Sequence, residues 1–345
     1  ATWLPCRCSA TVRDYSTFPS KWEIGARCAS GLANSGDIHR IGGMIRTEHL
    51  TRRFNGVTAV DELTLEVEAG EVFGFLGPNG AGKTTTVRML TCLISPTYGH
   101  ATVNGLTVGR DNSAIRRSVG ILTETPGLYD RLTAEHNLRI FADLYDVSDP
   151  RGRVNTWLRR MGLWERRHDA AGTFSKGMRQ KLAIARALLH EPTVVFLDEP
   201  TAALDPEAAH MIRDVIATLR QQGRTIFLCT HNLEEADRLC DRIAVFKTRL
   251  ITVDTPAHLR TRLFGRQVVF HLRHADANIA GAVRAVAGVS DVQAVGDKLV
   301  VTLDDPDARN PDIVRTLVAA GADIRFVGEL RRSLEDVYLH LVKDA

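Results

Sequence analysis

The stretch 71–94, EVFGFLGPNGAGKTTTVRMLTCLI, leaves this chain very few folds to choose from. The apolar run 72–76 reads as a buried strand. Gly77, Pro78, Asn79, Gly80, Ala81 and Gly82 make a tight loop after it. Lys83, Thr84 and Thr85 then open a helix with Val87, Leu90, Leu93 and Ile94 on one side, and Pro96 ends it. The pattern G-x-x-x-x-G-K-T between a strand and a helix is a phosphate-binding loop in the context that gives the motif meaning. Its glycines let backbone N–H groups approach phosphate oxygens, and the helix N-terminus adds partial positive charge. Lys83 supplies a point charge for β- and γ-phosphates, and the Thr84 hydroxyl is a hard oxygen ligand for Mg²⁺.

With 345 residues the chain can hold two or three domains with real cores. Charged residues at 25% and hydrophobic residues at 44% fit a soluble globular protein. A net charge of +3 gives no argument for a nucleic-acid partner. No stretch approaches the roughly 20 consecutive apolar residues of a membrane span, so any membrane role needs another chain to cross the bilayer. Cys6 and Cys8 are too close together for half of a common zinc site, and no second pair follows. Cys92, Cys229 and Cys240 fall in helix or strand patterns and read as buried thiols of a reducing compartment.

Residues 1–43 lack periodicity and read as a disordered extension. They hold no continuous apolar region for a secretory signal, Asp14, Glu23 and Asp37 argue against a transit peptide, and Met44 reads as the natural start. Residues 45–68 alternate like strands. Phe54 lies between the two runs, where an aromatic ring either joins the core or stacks on an adenine. Short strands are predicted at 101–108 and 117–123, followed by a loop carrying Pro126 and Gly127. Residues 133–168 read as largely helical, an insertion into an α/β core.

Ser175 caps the next predicted helix, which begins Lys176-Gly177-Met178-Arg179-Gln180 and stops at Pro192. A helix start with a hydroxyl and a glycine can bind phosphate, although alone this is only a cap. The buried strand at 193–198 ends in Asp198, and Glu199 and Pro200 follow. A carboxylate there can hold Mg²⁺ through water, and the next can orient or deprotonate an attacking water. A further strand at 224–230 ends at His231, and Asn232 caps the helix after it. Short strands at 243–246 and 250–253 close the core.

Together these pieces resemble the nucleotide-binding subunit of ATP-binding cassette (ABC) transporters over about residues 44–260. Phe54 matches the adenine-stacking aromatic, 77–84 Walker A, 194–198 Walker B, Glu199 the catalytic carboxylate, Ala203-Leu204-Asp205 the D-loop and His231 the switch histidine. Ser175-Lys176-Gly177-Met178 matches the signature usually written S-G-G-Q, with two substitutions. The resemblance implies an ATPase using ATP and Mg²⁺, held by Thr84, Asp198 and Glu124, the last standing where the family normally carries Gln. It implies two cassettes, most simply a homodimer through the Asp205 loops, with the signature of one covering ATP on Walker A of the other.

Glu124 and Lys176 resemble cassettes paired with ABC-2 type membrane subunits, mostly exporters. That implies a peripheral protein on the cytoplasmic face of the cell membrane, bound to a transmembrane permease subunit. The expected architecture is α/β: a P-loop NTPase cassette, mixed sheet core with a helical insertion at about 125–190, over residues 44–260. Residues 266–345 follow in βαββαβ order as a small α+β ferredoxin-like domain, and a final helix begins at Ser333. A soluble ABC-class ATPase acting on ribosome or nucleic acid is the alternative. Its ribosomal members usually carry two cassettes in one chain and its DNA-repair members long coiled coils or zinc sites, none of which is visible. A GTPase would need an N/T-K-x-D motif, which the chain lacks. An importer cassette fits the tail and Glu124 less well.

Overall fold

Two Asn-Gly dipeptides and a set of continuous apolar runs organise the first half of the protein. The structure is a computed structural model that describes residues 43–343, apart from 203 and 331. The extension expected at 1–43 therefore lies, but for residue 43, outside the described residues. Strands β1 (Ile45–Phe54) and β2 (Val57–Val67) form an antiparallel hairpin closed by Asn55 and Gly56, with φ of 45° and 86°. Positive φ at both central residues matches the twist of the strands, and Asn-Gly tolerates it best. Strand β3 (Val72–Leu76) leads into α1 (Lys83–Leu90). Strands β4 (Tyr98–Val103) and β5 (Leu106–Thr107) are joined the same way by Asn104 and Gly105, φ 53° and 74°. Helix α2 (Asn112–Ser118) and strand β6 (Val119–Leu122) follow. The first sheet is antiparallel, in the order β2-β1-β4-β5.

The insertion contains α3 (Ala134–Leu144), α4 (Pro150–Arg160), two single 3₁₀ turns at Trp164–Arg166 and Ala171–Thr173, and α5 (Lys176–Leu188). Thr133, Asp149 and Ser175 each accept a backbone N–H at the start of their helix. The chain returns through β7 (Val194–Asp198), α6 (Pro206–Gln221), β8 (Thr225–Thr230), α7 (Leu233–Leu239), β9 (Arg242–Lys247), β10 (Arg249–Asp254) and α8 (Pro256–Phe264). The second sheet runs β10-β9-β3-β8-β7-β6 and is mixed, parallel throughout except for the β9–β10 pair.

Every residue of β3, β7 and β8 is buried, because these strands are covered on both faces. Val72, Val195, Leu197, Ile226 and Leu228 face the helices, whereas Phe73, Phe75, Phe196 and Phe227 face α1 and the first sheet. Phe227 is the hub of the second core, its ring centroid 5.7 Å from Phe73, 5.2 Å from Phe75 and 5.6 Å from Phe196. Phe227→Ala should therefore cost about 3–5 kcal/mol, the range for emptying a buried aromatic site. Urea unfolding followed by tryptophan fluorescence would read it, and a change under 1 kcal/mol would place the core's hub elsewhere.

The tail comprises β11 (Arg266–Leu272), α9 (Ala277–Arg284), β12 (Val289–Val295), β13 (Lys298–Leu303), α10 (Pro306–Ala319), β14 (Ile324–Glu329) and α11 (Leu334–Lys343). Its four strands form an antiparallel sheet in the order β12-β13-β11-β14, with α9 and α10 closing one core around Phe270, Val301, Val283 and Leu317. Helix α11 does not join that core. Leu334 and Val337 pack into the large helical core with Leu259 of α8, so the last helix lies against α8 and not on the tail sheet.

Several elements differ from the patterning. Helix α1 stops at Leu90, because Cys92 takes φ 58°, and Leu93 is left 53% exposed. Helices α2 and α8 are not among the predicted elements. Helix α10 begins six residues before the expected Asp312, capped by Asp305 with Pro306 in its first turn. Pro311 lies inside it and forfeits one helical hydrogen bond.

Candidate nucleotide site

Parallel pairing aligns three strand ends on one edge of the large sheet. Leu76 of β3 lies beside Thr230 of β8, and Asp198 of β7 beside Cys229 of β8. The loop after β3 and the residues after β7 and β8 therefore meet, the usual ligand position in an open α/β sheet. They enclose a cleft of about 530 Å³ lined by Pro78–Thr85, Glu124, Asp198, Glu199 and His231, with Lys176 and Gln180 of α5 on the far wall.

The loop has little freedom. Gly82 caps α1 at φ 105°, and a Cβ there would collide with the Ala59 carbonyl oxygen. Gly80 has φ 81° but open space around it. Gly77 packs against the Phe246 carbonyl beneath the loop. The Lys83 ammonium, 7% exposed, donates to the carbonyls of Gly77 (2.6 Å) and Pro78 (3.1 Å), which holds its charge at the loop's centre.

Asp198 accepts a 2.8 Å hydrogen bond from the Thr84 hydroxyl. Burial pushes its carboxyl above the usual carboxylate range, the Thr84 bond opposes this, Glu199 adds to the rise, Lys83 lowers it, and Glu124 adds a smaller push. The folded chain therefore holds this proton more readily than the unfolded chain. The resulting stability is fully present below the unfolded carboxylate range and is lost as pH rises through the raised value. At neutral pH the ionised Asp198 is a net cost, so Asp198→Asn should melt higher than the parent without nucleotide. That gain should vanish in acid, and scanning calorimetry at both pH values would measure it.

Thr84, Asp198 and Glu124 bring hard oxygen donors to one wall, the chemistry a small divalent cation selects. Among the described residues no group of three His, Cys, Asp or Glu side chains can hold a metal alone. An ion here would complete its shell with water and ligand oxygens.

Glu199 sits at φ 51°, unusual for a residue with a side chain. Its backbone N–H donates to Cys229 O at 2.9 Å, and its Oε1 accepts from the His231 backbone N–H at 2.9 Å and contacts His231 Nδ1 at 2.7 Å. Thr230 Oγ1 lies 3.4 Å from both Glu199 Oε2 and Glu235 Oε2. Gln180 Nε2 donates to the carbonyls of Glu199 (3.3 Å) and Pro200 (3.2 Å), clamping this turn to α5. Gln180 and Thr230 fall in stretches read only as a helix start and a strand end, and their contacts, which depend on how α5 and β8 pack beside the turn, carry no local signal.

Other expected residues stand apart. Phe54 is 40% exposed outside the cleft lining, with the Arg52 guanidinium 4.4 Å from its ring centroid. Ser175 Oγ accepts from Met178 N at 3.2 Å as the cap of α5, and Gly177 faces Leu204. Lys176 lines the cleft of its own chain, although the motif reading assigns the signature to a partner's site. Asp205 caps α6 through Ala208 N at 2.8 Å, while Ala203 lies outside the described residues. The 124–129 loop is tied to the insertion twice: Arg186 donates to the carbonyls of Pro126 (2.7 Å) and Gly127 (2.8 Å), and buried Asn137 accepts from Tyr129 N and donates to Tyr129 O.

The family model described as ABC transporter matches residues 60–202. The chain is 35% identical over 305 residues to the daunorubicin resistance ATP-binding protein DrrA3 of Streptomyces coeruleorubidus, covering 87% of this chain and 96% of that one. It belongs to the ABC transporter ATP-binding proteins. The linearmycin resistance ATP-binding protein LnrL of Bacillus subtilis is 32% identical over 281 residues, covering 80% of this chain and 89% of its own. Among solved structures, an ATP-binding subunit of an ABC transporter superposes with a TM-score of 0.61 at 31% identity, over 64% of this chain and 94% of that one. A dimeric cassette in a post-hydrolysis state bound to ADP and Pi gives 0.58 at 25% identity, over 61% and 98%. The cassette is an ATP-binding, ATP-hydrolysing unit of the transporter class.

Proposed function

We propose that this cassette is the ATPase subunit of an ABC-2 type membrane exporter, acting as a dimer on a separate transmembrane permease. Likeness to a daunorubicin resistance ATP-binding protein along 87% of the chain, tail included, carries this reading. On it, the phosphates of ATP lie on the 77–84 loop and Lys83. Thr84 and Asp198, with Glu124 beside them, would hold Mg²⁺, which would supply positive charge to offset that of the β- and γ-phosphates. Glu199 accepts the proton of the attacking water on its carboxylate. His231, oriented by Glu199 through Nδ1, has Nε2 left to meet the γ-phosphate. Phe54 covers the adenine, and Ser175, Lys176, Gly177 and Met178 approach the ATP of the second cassette, with Asp205 at the contact between the two. A homodimer is the simplest assembly for a chain with one set of motifs, and no nucleic acid takes part.

We take residues 44–260 as the cassette, with its helical subdomain at about 125–190, and residues 266–345 as the tail. The tail's element order and its sheet order β12-β13-β11-β14 support a ferredoxin-like domain. Among the described residues no helix is long and apolar enough to cross a membrane. On this reading the chain attaches to the cytoplasmic face through its permease partner. A groove of mixed lining, with Leu93, Phe141 and Tyr145 beside Thr123, Arg186 and His190, adjoins the anchored 124–129 loop and supports docking there. A photo-cross-linker at Tyr129, 53% exposed, tests the reading in native membranes. Recovery of a multi-span membrane protein supports it and names the cargo's carrier. Recovery of ribosomal or DNA-bound proteins alone would overturn it.

A further inference from the structure

The helical insertion concentrates positive charge that neither the cleft nor the core uses. Residues 150–168 hold six arginines and one acid, a net +5 beside +3 for the whole chain. A run of like charges is ordinarily a solvated face. Here three of the guanidinium groups are held in place. Arg159 lies 3.6 Å and Arg167 4.1 Å from the Trp164 ring centroid, and Arg160 lies 5.2 Å from that of Trp157. Arg167 also donates to Trp164 O at 3.0 Å. A guanidinium stacked on an indole keeps its N–H edge free, and its planar fork loses little freedom when it binds an anion.

The carboxylates nearby are engaged with other arginines. Arg153 pairs with Glu191, and Arg166 with Asp169. Arg159, Arg160 and Arg167 form no ion pair among the described residues. Glu165 is exposed in their midst and offsets one charge. This corner also adjoins the anchored loop. Ala171 N donates to Leu132 O (2.9 Å), Ala134 N to Asp169 O (3.1 Å) and Glu135 N to Arg167 O (3.0 Å). The segment 167–171 therefore runs antiparallel beside 132–135, which directly follows Tyr129 and the exposed Arg131.

We propose that Arg159, Arg160 and Arg167, with Arg131 at their border, form a face that rests on the phosphate headgroups of an anionic lipid bilayer. The choice of a bilayer rests on the exporter reading, which sets the Tyr129 loop against a membrane-embedded partner and so carries the adjoining face to the surface of the same membrane. The chemistry matches. Each guanidinium offers a two-pronged donor edge to phosphate oxygens, and four basic side chains beside a membrane are drawn to anionic headgroups. Single-stranded nucleic acid is a poorer match, because it needs open aromatic faces. Trp157 is buried, and two guanidinium groups lie against Trp164.

The test sediments full-length, nucleotide-free protein with vesicles of phosphatidylcholine alone or mixed with phosphatidylglycerol. At about 0.1 M salt the anionic vesicles should bind at least about tenfold more tightly than the neutral ones, and about 1 M salt should remove the difference. Millimolar inorganic phosphate should not displace them. Changing Arg159, Arg160 and Arg167 together to Gln should weaken binding at least about tenfold. Arg117→Gln, Arg262→Gln and Arg325→Gln together remove the same charge from α2, α8 and β14, and should change it less than about twofold. Glu165→Gln leaves every stack in place and should strengthen binding severalfold. Unchanged melting temperatures check that the variants are folded. Equal binding to both kinds of vesicle, equal losses from the two triple variants, no response to Glu165→Gln, or capture of polyglutamate in place of vesicles would overturn the proposal. The vesicles hold no permease, so a failed Tyr129 cross-link with lipid binding intact would count against the exporter reading alone.

Discussion

Glu199→Gln is expected to slow ATP hydrolysis by about 10²–10⁴-fold, the usual contribution of a positioned general base, while ATP still binds. The reason is local. Gln is the same size, and its amide oxygen can still accept from the His231 backbone N–H, which now donates to Glu199 Oε1 at 2.9 Å. What it cannot do is take a proton from water. Phosphate-release kinetics together with equilibrium binding of a fluorescent ATP separate the two effects. Glu235→Gln is the matched control. Glu235 is 3% exposed, shares the Thr230 hydroxyl with Glu199, and does not line the cleft. Burial already pushes its carboxyl upward, with hydrogen bonds from Thr201 and Thr230 opposing that rise. Its neutral amide should therefore leave turnover nearly intact. If Glu199→Gln turned over normally, the base would have to be sought elsewhere.

Gly82→Ala should have the second largest effect. Holding a residue with a side chain near φ 105° costs about 1–3 kcal/mol by itself. The collision with the Ala59 carbonyl is added to that, and neither partner can move without unseating the start of α1. Nucleotide affinity should fall at least about tenfold, which corresponds to 1.4 kcal/mol, and the melting temperature should fall with it. Gly80→Ala gives an internal scale. Its φ of 81° carries strain, but nothing lies within 4 Å of the added carbon, so its loss should be clearly smaller. The reverse order in titration calorimetry would mean that the loop is remodelled when nucleotide arrives.

Both predictions concern positions that a local pattern picks out. A phosphate loop needs glycines at fixed spacing and a Lys-Thr pair, and those requirements are met within eight consecutive residues. Strands β3, β7 and β8 are just as legible, since burial on both faces demands unbroken apolar runs. The hairpin turns follow from Asn-Gly pairs for the same short-range reason. Helix ends are less legible. Cys92 ends α1 through a left-handed conformation that no sequence rule demands, and Asp305 starts α10 ahead of a proline that would ordinarily argue for a break.

By itself the sequence determined the loop, its flanking strand and helix, the Asp-Glu pair at a strand end, and the βαββαβ order of the tail, all set by propensity and pattern over a few residues. The tertiary structure decided which strand ends meet. Glu199 and His231 touch because β7 and β8 are parallel neighbours in one register. Gln180 reaches that turn because α5 packs beneath it. The same long-range choices set Phe54 outside the cleft lining, brought Lys176 to the wall of its own chain's cleft, packed α11 against α8 and left β14 at the end of its sheet. Strand order and register are chosen by the burial and hydrogen bonding of the whole sheet, a sum over residues far apart in sequence that no local stretch encodes.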